Sequence, residues 1–276
     1  MDFVKQIEFV LPESIKDFIF DLHQASRVAQ RADEVQPLYE ERFKELSDKY
    51  FSQSQWPSPK EVEAEVRYDN EFLLFYRSIT LHHLFNTLKQ QKPQLSDHIE
   101  AWNNYTKMFD FVISSKKPSM CLTTQWACDI MQEFVYHFQD FCQFRSQINH
   151  RTEEEKRMLD ANASVWSLSE VMRILKGLAD VSMLPSAEPI HQLLGYFGIL
   201  ETARLECLLG DFNASLRAVS PARLLDRSEI FTQAPASHAG VYYHAGISLL
   251  MLRKYSLVID TLSEIILHIT RVLKPG

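Results

Sequence analysis

The segment GYFGILETARLECLLGDFNASLRAVS (Gly195–Ser220) can be read against HAGVYYHAGISLLMLRKYSLVIDTLS (His238–Ser263) at a constant offset of 43 residues. Leu200 then aligns with Tyr243, Ala203 with Gly246, Leu208 with Met251, Leu209 with Leu252, Phe212 with Tyr255 and Leu216 with Ile259. Apolar residues meet apolar ones and small residues meet small ones. Each copy predicts two helices joined by a tight turn, so the carboxyl-terminal third reads as two stacked helical hairpins of one kind.

In each copy nine residues separate the small residue from the aromatic that opens the second helix, Ala203 to Phe212 and Gly246 to Tyr255. A tetratricopeptide-like hairpin spaces its helix-crossing residue and second-helix aromatic in this way, although its usual period is about 34 residues. The longer period here is accounted for by a connection over Arg223–Ser237. Hairpins of this type cannot bury their apolar faces alone and stack into a solenoid whose surface binds other proteins. The expected fold is therefore all-α: a tetratricopeptide-like right-handed solenoid preceded by an amino-terminal helical bundle.

Working outward, the rest of the chain agrees with an all-helical reading. Only seven glycines occur in 276 residues, and none precedes Gly177. The residue that supplies tight β-hairpin turns is thus missing from most of the chain. Prolines fall at expected helix limits, among them Pro12, Pro37, Pro59, Pro93, Pro118, Pro189 and Pro235. The periodicity predicts helices near 2–10, 13–32, 37–51, 59–66, 69–90, 96–114, 123–149, 152–160, 168–182, 188–209, 212–226, 236–253 and 255–273. Asp97 with Glu100, Thr152 with Glu155 and Ser167 with Glu170 read as capping boxes. Phe72, Phe75, Tyr76, Ile79, His83 and Leu84 form one apolar stripe. Trp126, Ile130, Phe134, Phe138 and Phe141 form another, with Met131, Val135, Cys142 and Phe144 around it. Breaks are expected at Ser52–Pro59, Lys89–Gln94, Ser114–Leu122 and Val181–His191.

Charge divides the chain at the last of these breaks. Residues 1–189 carry a net charge of −8, whereas 190–276 carry +1. The expected domains are an amino-terminal helical domain at 1–189 and the hairpins at 190–276, the start of a longer arm. An acidic chain is poorly suited to coating nucleic acid by charge alone. Cys121, Cys128, Cys142 and Cys207 form no CxxC pair and read as buried thiols in a reducing compartment. With no uncharged apolar run of about 18 residues and no signal-peptide core, the expected location is cytoplasmic, without a membrane.

Candidate chemistry is sparse. No phosphate loop, dinucleotide fingerprint or nucleophile elbow occurs, and no catalytic residue, cofactor site or metal site is assigned. Asp129, Glu133 and His137 share one helix face, but bundle di-metal sites use Glu-x-x-His from two helices. They read as a polar stripe on a buried helix. His82 and His83 are adjacent and so point about 100° apart, which predicts one facing the core and the other solvent. Lys116, Lys117 and Arg145, with Arg151, Lys156 and Arg157, are the basic residues that RNA could use. Glu153, Glu154 and Glu155 offset the second group, which favours a solvated face.

Four longer strings carry a family resemblance. They are QWPSP with DNEFLLFYRSITLHHLF (Gln55–Pro59 and Asp69–Phe85), QWACDIMQEFVYHFQDFCQFR (Gln125–Arg145), LLGYFGILETARLECLLGDFNASL (Leu193–Leu216) and YYHAGISLLMLRKYSLVIDTLSEIILHITR (Tyr242–Arg271). In order and spacing the chain resembles the L-subunit family of eukaryotic translation initiation factor 3. The resemblance implies a non-catalytic scaffold subunit that supports preinitiation complex assembly on the small ribosomal subunit. The implied partners are the K subunit and other PCI subunits of the factor. It also implies an amino-terminal helical arm that lacks the winged-helix region of the PCI class. A helical-repeat adaptor of the proteasome lid or signalosome is the rival reading.

Overall fold

The computed structural model describes residues 11–28, 32–88, 93–220 and 234–272. Helices and turns account for these residues, and no strand occurs among them. The helix expected at 2–10 and the connection around 221–233 lie outside the described residues. Backbone packing divides the chain into two compact units, Met1–Lys92 and Pro93–Gly276.

The first unit contains α1 (Glu13–Val28), α2 (Phe43–Tyr50), α3 (Pro59–Val62) and α4 (Asn70–His82). π-helical turns at Leu38–Arg42 and His83–Thr87 open α2 and extend α4. Its centre is an aromatic cluster in which Trp56 packs 4.8 Å from Phe43, 4.6 Å from Phe51 and 5.6 Å from Phe18. The indole N–H of Trp56 donates to Ser47 Oγ at 2.9 Å, and the Tyr76 hydroxyl donates to the Pro57 carbonyl at 2.9 Å. The stripe Phe72, Phe75, Tyr76, Ile79, His83 and Leu84 is buried throughout.

The helix expected over 59–66 is only four residues long. After Val62 the chain makes i→i+3 turns and passes through left-handed Arg67 and Tyr68, at φ 53° and 58°. This reversal delivers Asp69 to cap α4, where its carboxylate accepts the Phe72 N–H at 3.1 Å. The same carboxylate takes Arg27 and His23 of α1, and Arg27 reaches Glu71 at 2.6 Å.

The second unit holds α5 (Leu95–Ser114), α6 (Thr124–Ser146), α7 (Glu153–Ala161), α8 (Leu168–Ser182), α9 (Pro189–Leu209) and α10 (Phe212–Val219). It continues with α11 (Pro235–Met251) and α12 (Tyr255–Val272). Phe134 lies 5.0 Å from Phe109 and 5.4 Å from Trp166, which lies 5.0 Å from Trp102. The Trp166 indole donates to the His98 carbonyl at 2.8 Å. His191 ties α9 to α5. Its Nδ1 accepts the Glu188 N–H at 3.0 Å, which puts the ring proton on Nε2, bonded to the Val112 carbonyl at 2.9 Å.

The charge boundary at 189/190 lies inside this second unit, because α8 and α9 pack together across it. A Cβ on Gly195 would stand 2.2 Å from Ser182 Cβ and 2.7 Å from the Leu178 carbonyl oxygen, so two backbones meet there without an intervening side chain. The two compact units divide at Lys92/Pro93, within the Lys89–Gln94 break.

Two expected caps formed and one moved. Thr152 and Glu155 make a reciprocal box, and Ser167 accepts the Glu170 N–H at 3.4 Å while the Glu170 carboxylate turns to Arg173. Asp97 is not an N-cap. After Pro93 the chain is extended only through Gln94, so α5 begins at Leu95 and the Asp97 carboxylate reaches back to the Gln94 N–H at 2.7 Å. Cys128 and Cys207 are buried, but Cys142 is exposed and Cys121 half-buried. Cys142 lies near the end of α6.

Candidate protein-binding surface

The turn that closes α9 recurs 43 residues later, at the end of α11. At the end of α9, Gly210 adopts φ 87°, its N–H donates to Cys207 O, and the Asp211 N–H donates to Glu206 O. Forty-three residues later Arg253 adopts φ 59°, its N–H donates to Leu250 O, and the Lys254 N–H donates to Leu249 O. These are the paired bonds of a Schellman motif, made twice at equivalent positions.

The small residues sit where helices touch. Ser215 Oγ donates to the Ala203 carbonyl at 2.8 Å, and Ser248 Oγ donates to Ser215 Oγ at 3.2 Å, which joins α9, α10 and α11. A Cβ on Gly246 would lie 2.6 Å from Leu262 Cδ2, so α12 rests close on α11. Tyr242 and Ile265 are buried beside this contact, with Tyr196, Ala239 and Leu262 packed around them.

The outward side of the second hairpin is nonpolar. Tyr243, Leu250 and Met251 of α11 are exposed, as are Tyr255, Leu257, Ile259, Ile266, Leu267 and Ile269 of α12. Exposed nonpolar side chains gathered on neighbouring helices leave room for further helical or protein packing there.

A second feature lies between α6, α9 and α11, a cavity of about 350 Å³ lined in part by Tyr136, Gln139, Glu201, Arg204 and His244. The Arg204 guanidinium stacks 4.2 Å from the Tyr136 ring centre, bonds Gln139 Oε1 at 3.2 Å and faces Glu201 at 3.3 Å. Glu201 is only 6% exposed. Burial pushes its carboxyl up to about 7, with the Arg204 charge opposing. Burial, then Arg204, lowers the pKa of His244.

The residues singled out for chemistry have structural surroundings. Asp129 accepts from the Gln125 amide at 2.7 Å. The Tyr105 hydroxyl faces Glu133, and burial followed by that charge holds its pKa well above the ordinary phenolic value. His137 packs edge-on to Tyr105 and Trp166 at 5.6 and 6.1 Å. Among the described residues no group of three His, Cys, Asp or Glu side chains is placed to hold a metal ion. His83 is buried and its pKa is lowered by that burial, whereas His82 is half-buried and meets Asn86 at 3.3 Å.

The basic residues do not converge. Arg145 lies over Phe141 and bonds the Ala163 carbonyl, Arg151 stacks 3.4 Å from Phe144, and Lys156 pairs with Glu153 at 2.7 Å. Arg157 bonds the Glu153 carbonyl, and Lys116 and Lys117 are exposed between α5 and α6. No described helix is long and apolar enough to cross a membrane.

Sequence reasoning passed over the exposed stripe on α12 and the Glu201–Arg204–Tyr136 cluster. The stripe is legible only as spacing, because exposed and buried isoleucines look alike in a sequence. The cluster joins α6 to α9 through residues 65 positions apart, as Arg204 with Gln139 shows, and only its Glu201–Arg204 pair is local in sequence.

Comparison with known proteins fits this architecture. The chain is similar to eukaryotic translation initiation factor 3 subunit L of Nematostella vectensis, with 31% identity over 281 residues covering 95% of this chain and 53% of that protein. The same-named protein of Mycosarcoma maydis is 28% identical over 282 residues, covering 95% and 42%, and that of Drosophila persimilis is 30% identical over 282 residues, covering 95% and 52%. The chain spans about half the length of the curated relatives it matches. Its residues 97–274 match the profile of the family described as RNA polymerase I-associated factor PAF67. That match takes in every helix of the second unit except the first two residues of α5, and on it the chain belongs to this family, alongside relatives named as L subunits of translation initiation factor 3.

Proposed function

We propose that this chain is a non-catalytic scaffold subunit of translation initiation factor 3, supporting preinitiation complex assembly on the small ribosomal subunit through protein contacts in the cytoplasm. The observation that carries the reading is the similarity to relatives of that name along 95% of the chain. The physical character of the molecule supports it. Buried aromatic rings are committed to helix–helix contacts, and the large nonpolar area left in solvent is a helix face. Such a surface serves docking and does not grip phosphate.

In this reading residues 190–276 begin a tetratricopeptide-like right-handed solenoid arm, and 1–189 form the helical domain that precedes it. The doubled turn at Gly210 and Arg253 favours the repeat. The K subunit and the PCI subunits are the expected neighbours, with the ribosome reached through the assembled factor. Affinity capture of the tagged chain from eukaryotic cells, read by quantitative mass spectrometry, tests this. Enrichment of the factor's other subunits is expected; enrichment of proteasome-lid or signalosome subunits in their place would defeat it.

A further inference from the structure

The cavity between α6, α9 and α11 holds a carboxylate with one oxygen to spare. Glu201 is 6% exposed, and Arg204 reaches only its Oε2, at 3.3 Å. Among the described residues no second donor bonds it. A buried carboxylate with a single long bond is costly, because its charge has lost water without gaining full pairing. The space beside it is about 350 Å³, which is room for the missing partner to enter from outside.

The walls are three helices of one compact unit, and α12 contributes none of the lining. Two bonds tie the walls together: the Gln132 amide of α6 donates to Ser237 of α11 at 2.8 Å, and Arg204 of α9 donates to Gln139 of α6 at 3.2 Å. The site is therefore held in shape before anything enters it.

The lining narrows the choice of occupant. Tyr136 and Leu208 are half exposed at the rim, whereas Leu200, Val241 and Glu201 are buried within. An entering group thus passes nonpolar surface before its tip reaches a negative charge. Long basic side chains have that order, an apolar stem ending in a cationic head. A hydrated metal ion lacks the stem, and an acidic side chain would meet Glu201 with the wrong sign while Arg204 is already committed to Glu201, Gln139 and Tyr136. A guanidinium is more weakly hydrated than an ammonium and keeps its charge beside another cation, and the site already accommodates one stacked on Tyr136. The chain's net charge of −7 also draws in a basic partner.

We propose that this pocket receives an arginine side chain of a partner protein, its guanidinium bonded to the second oxygen of Glu201 and its stem lying along Leu200, Leu208 and Val241. The inference stands on the pocket and not on the subunit reading. It is tested on the purified chain, so either can fail without the other.

The groups that face Glu201 are Arg204 on its own helix, Tyr136 and Cys128 on α6, and His244 on α11. Burial pushes the Cys128 thiol up to about 12, and burial followed by Arg204 lowers His244, which keeps its titration below that of Glu201. Arginine stays charged throughout, so the carboxyl at about 7 governs entry, and affinity should rise about tenfold from pH 6 to pH 8.

Titration of the ¹⁵N-labelled chain with a glycine–arginine–glycine peptide blocked at both ends, followed at the Gly240 amide in the pocket wall, measures this. Saturable binding in the millimolar range is expected, the scale of one buried side chain. The peptide with uncharged citrulline in place of arginine should bind about tenfold more weakly, and Glu201→Gln should lose about as much for the arginine peptide. No saturable shift overturns the proposal, as does undiminished binding by folded Glu201→Gln. Affinity that is flat or falls with rising pH, or equal binding of the citrulline peptide, overturns it even if that variant fails to fold. A lysine peptide that binds as tightly overturns the choice of arginine, and a preference for a glutamate peptide would assign the pocket to an acidic partner through Arg204 and overturn it entirely.

Discussion

Gly210 and Arg253 hold the same left-handed turn in two successive helical hairpins, 43 residues apart and with the same two backbone bonds closing each helix. Glycine takes this conformation without steric cost, while a residue with a Cβ is disfavoured by roughly 1–2 kcal/mol. Two identical backbone devices are thus built from unequal residues.

Arg253→Gly should consequently raise stability by about 1 kcal/mol, and Gly210→Ala should lower it by about the same amount. Urea unfolding of the two variants beside the wild type measures both. Equal and opposite shifts in midpoint at constant slope are expected; a destabilised Arg253→Gly would mean that the arginine side chain supplies something the turn does not.

The crossing of α8 and α9 gives a second contrast. Gly195→Ala would drive a Cβ against Ser182 and a backbone carbonyl, and should cost about 1–3 kcal/mol through overpacking. Gly240, inside α11, has no atom within 4 Å of the corresponding position. Gly240→Ala should therefore stabilise the protein by about 0.5–1 kcal/mol, from helix propensity and a less flexible unfolded chain. Thermal denaturation of the pair separates them by sign.

Glu201 predicts a pH dependence. Its folded pKa of about 7 lies above the unfolded value of about 4.3, because burial penalises the charged form. Its contribution is therefore fully present below the unfolded value and is lost as pH rises through about 7. Glu201→Gln should be more stable than the wild type at pH 8, by as much as about 3 kcal/mol, and the advantage should vanish toward pH 4.5. Denaturant titrations at stepped pH check the sign; a constant difference between the two proteins would contradict it.

Asp69 predicts the opposite behaviour at acid pH. Burial alone would raise its pKa, but Arg27, the Phe72 N–H and His23 overcome that and hold it at about 2. This stability is present above the unfolded value of about 3.9 and is lost as pH falls through about 2. Asp69→Asn should cost about 2 kcal/mol at pH 7 and flatten the loss between about pH 4 and 2. Fluorescence of Trp56, which is buried in the same unit, follows it.

The fold was legible where local rules govern. Absent glycine, placed prolines and apolar spacing located α8 at 168–182 as expected, and most other limits within a few residues. Interactions between distant residues were less visible. Arg253 hides its left-handed turn because only glycine advertises one. The boundary at Lys92/Pro93 follows packing, and packing does not track the charge change at 189/190. Asp97 has the composition of a cap, yet the extended residue after Pro93 places the cap three positions earlier, at Gln94. The stripe on α12 was present as residue types, but its exposure depends on what the neighbouring helices leave uncovered.

The proposed role places this helical chain in an assembly bound to the small ribosomal subunit. Sucrose-gradient sedimentation of lysate from cells expressing the tagged chain tests it most directly. In that role the chain is expected to travel in the small-subunit fractions together with the other subunits of translation initiation factor 3. Recovery at the top of the gradient, while those subunits sediment with the small ribosomal subunit, would contradict it.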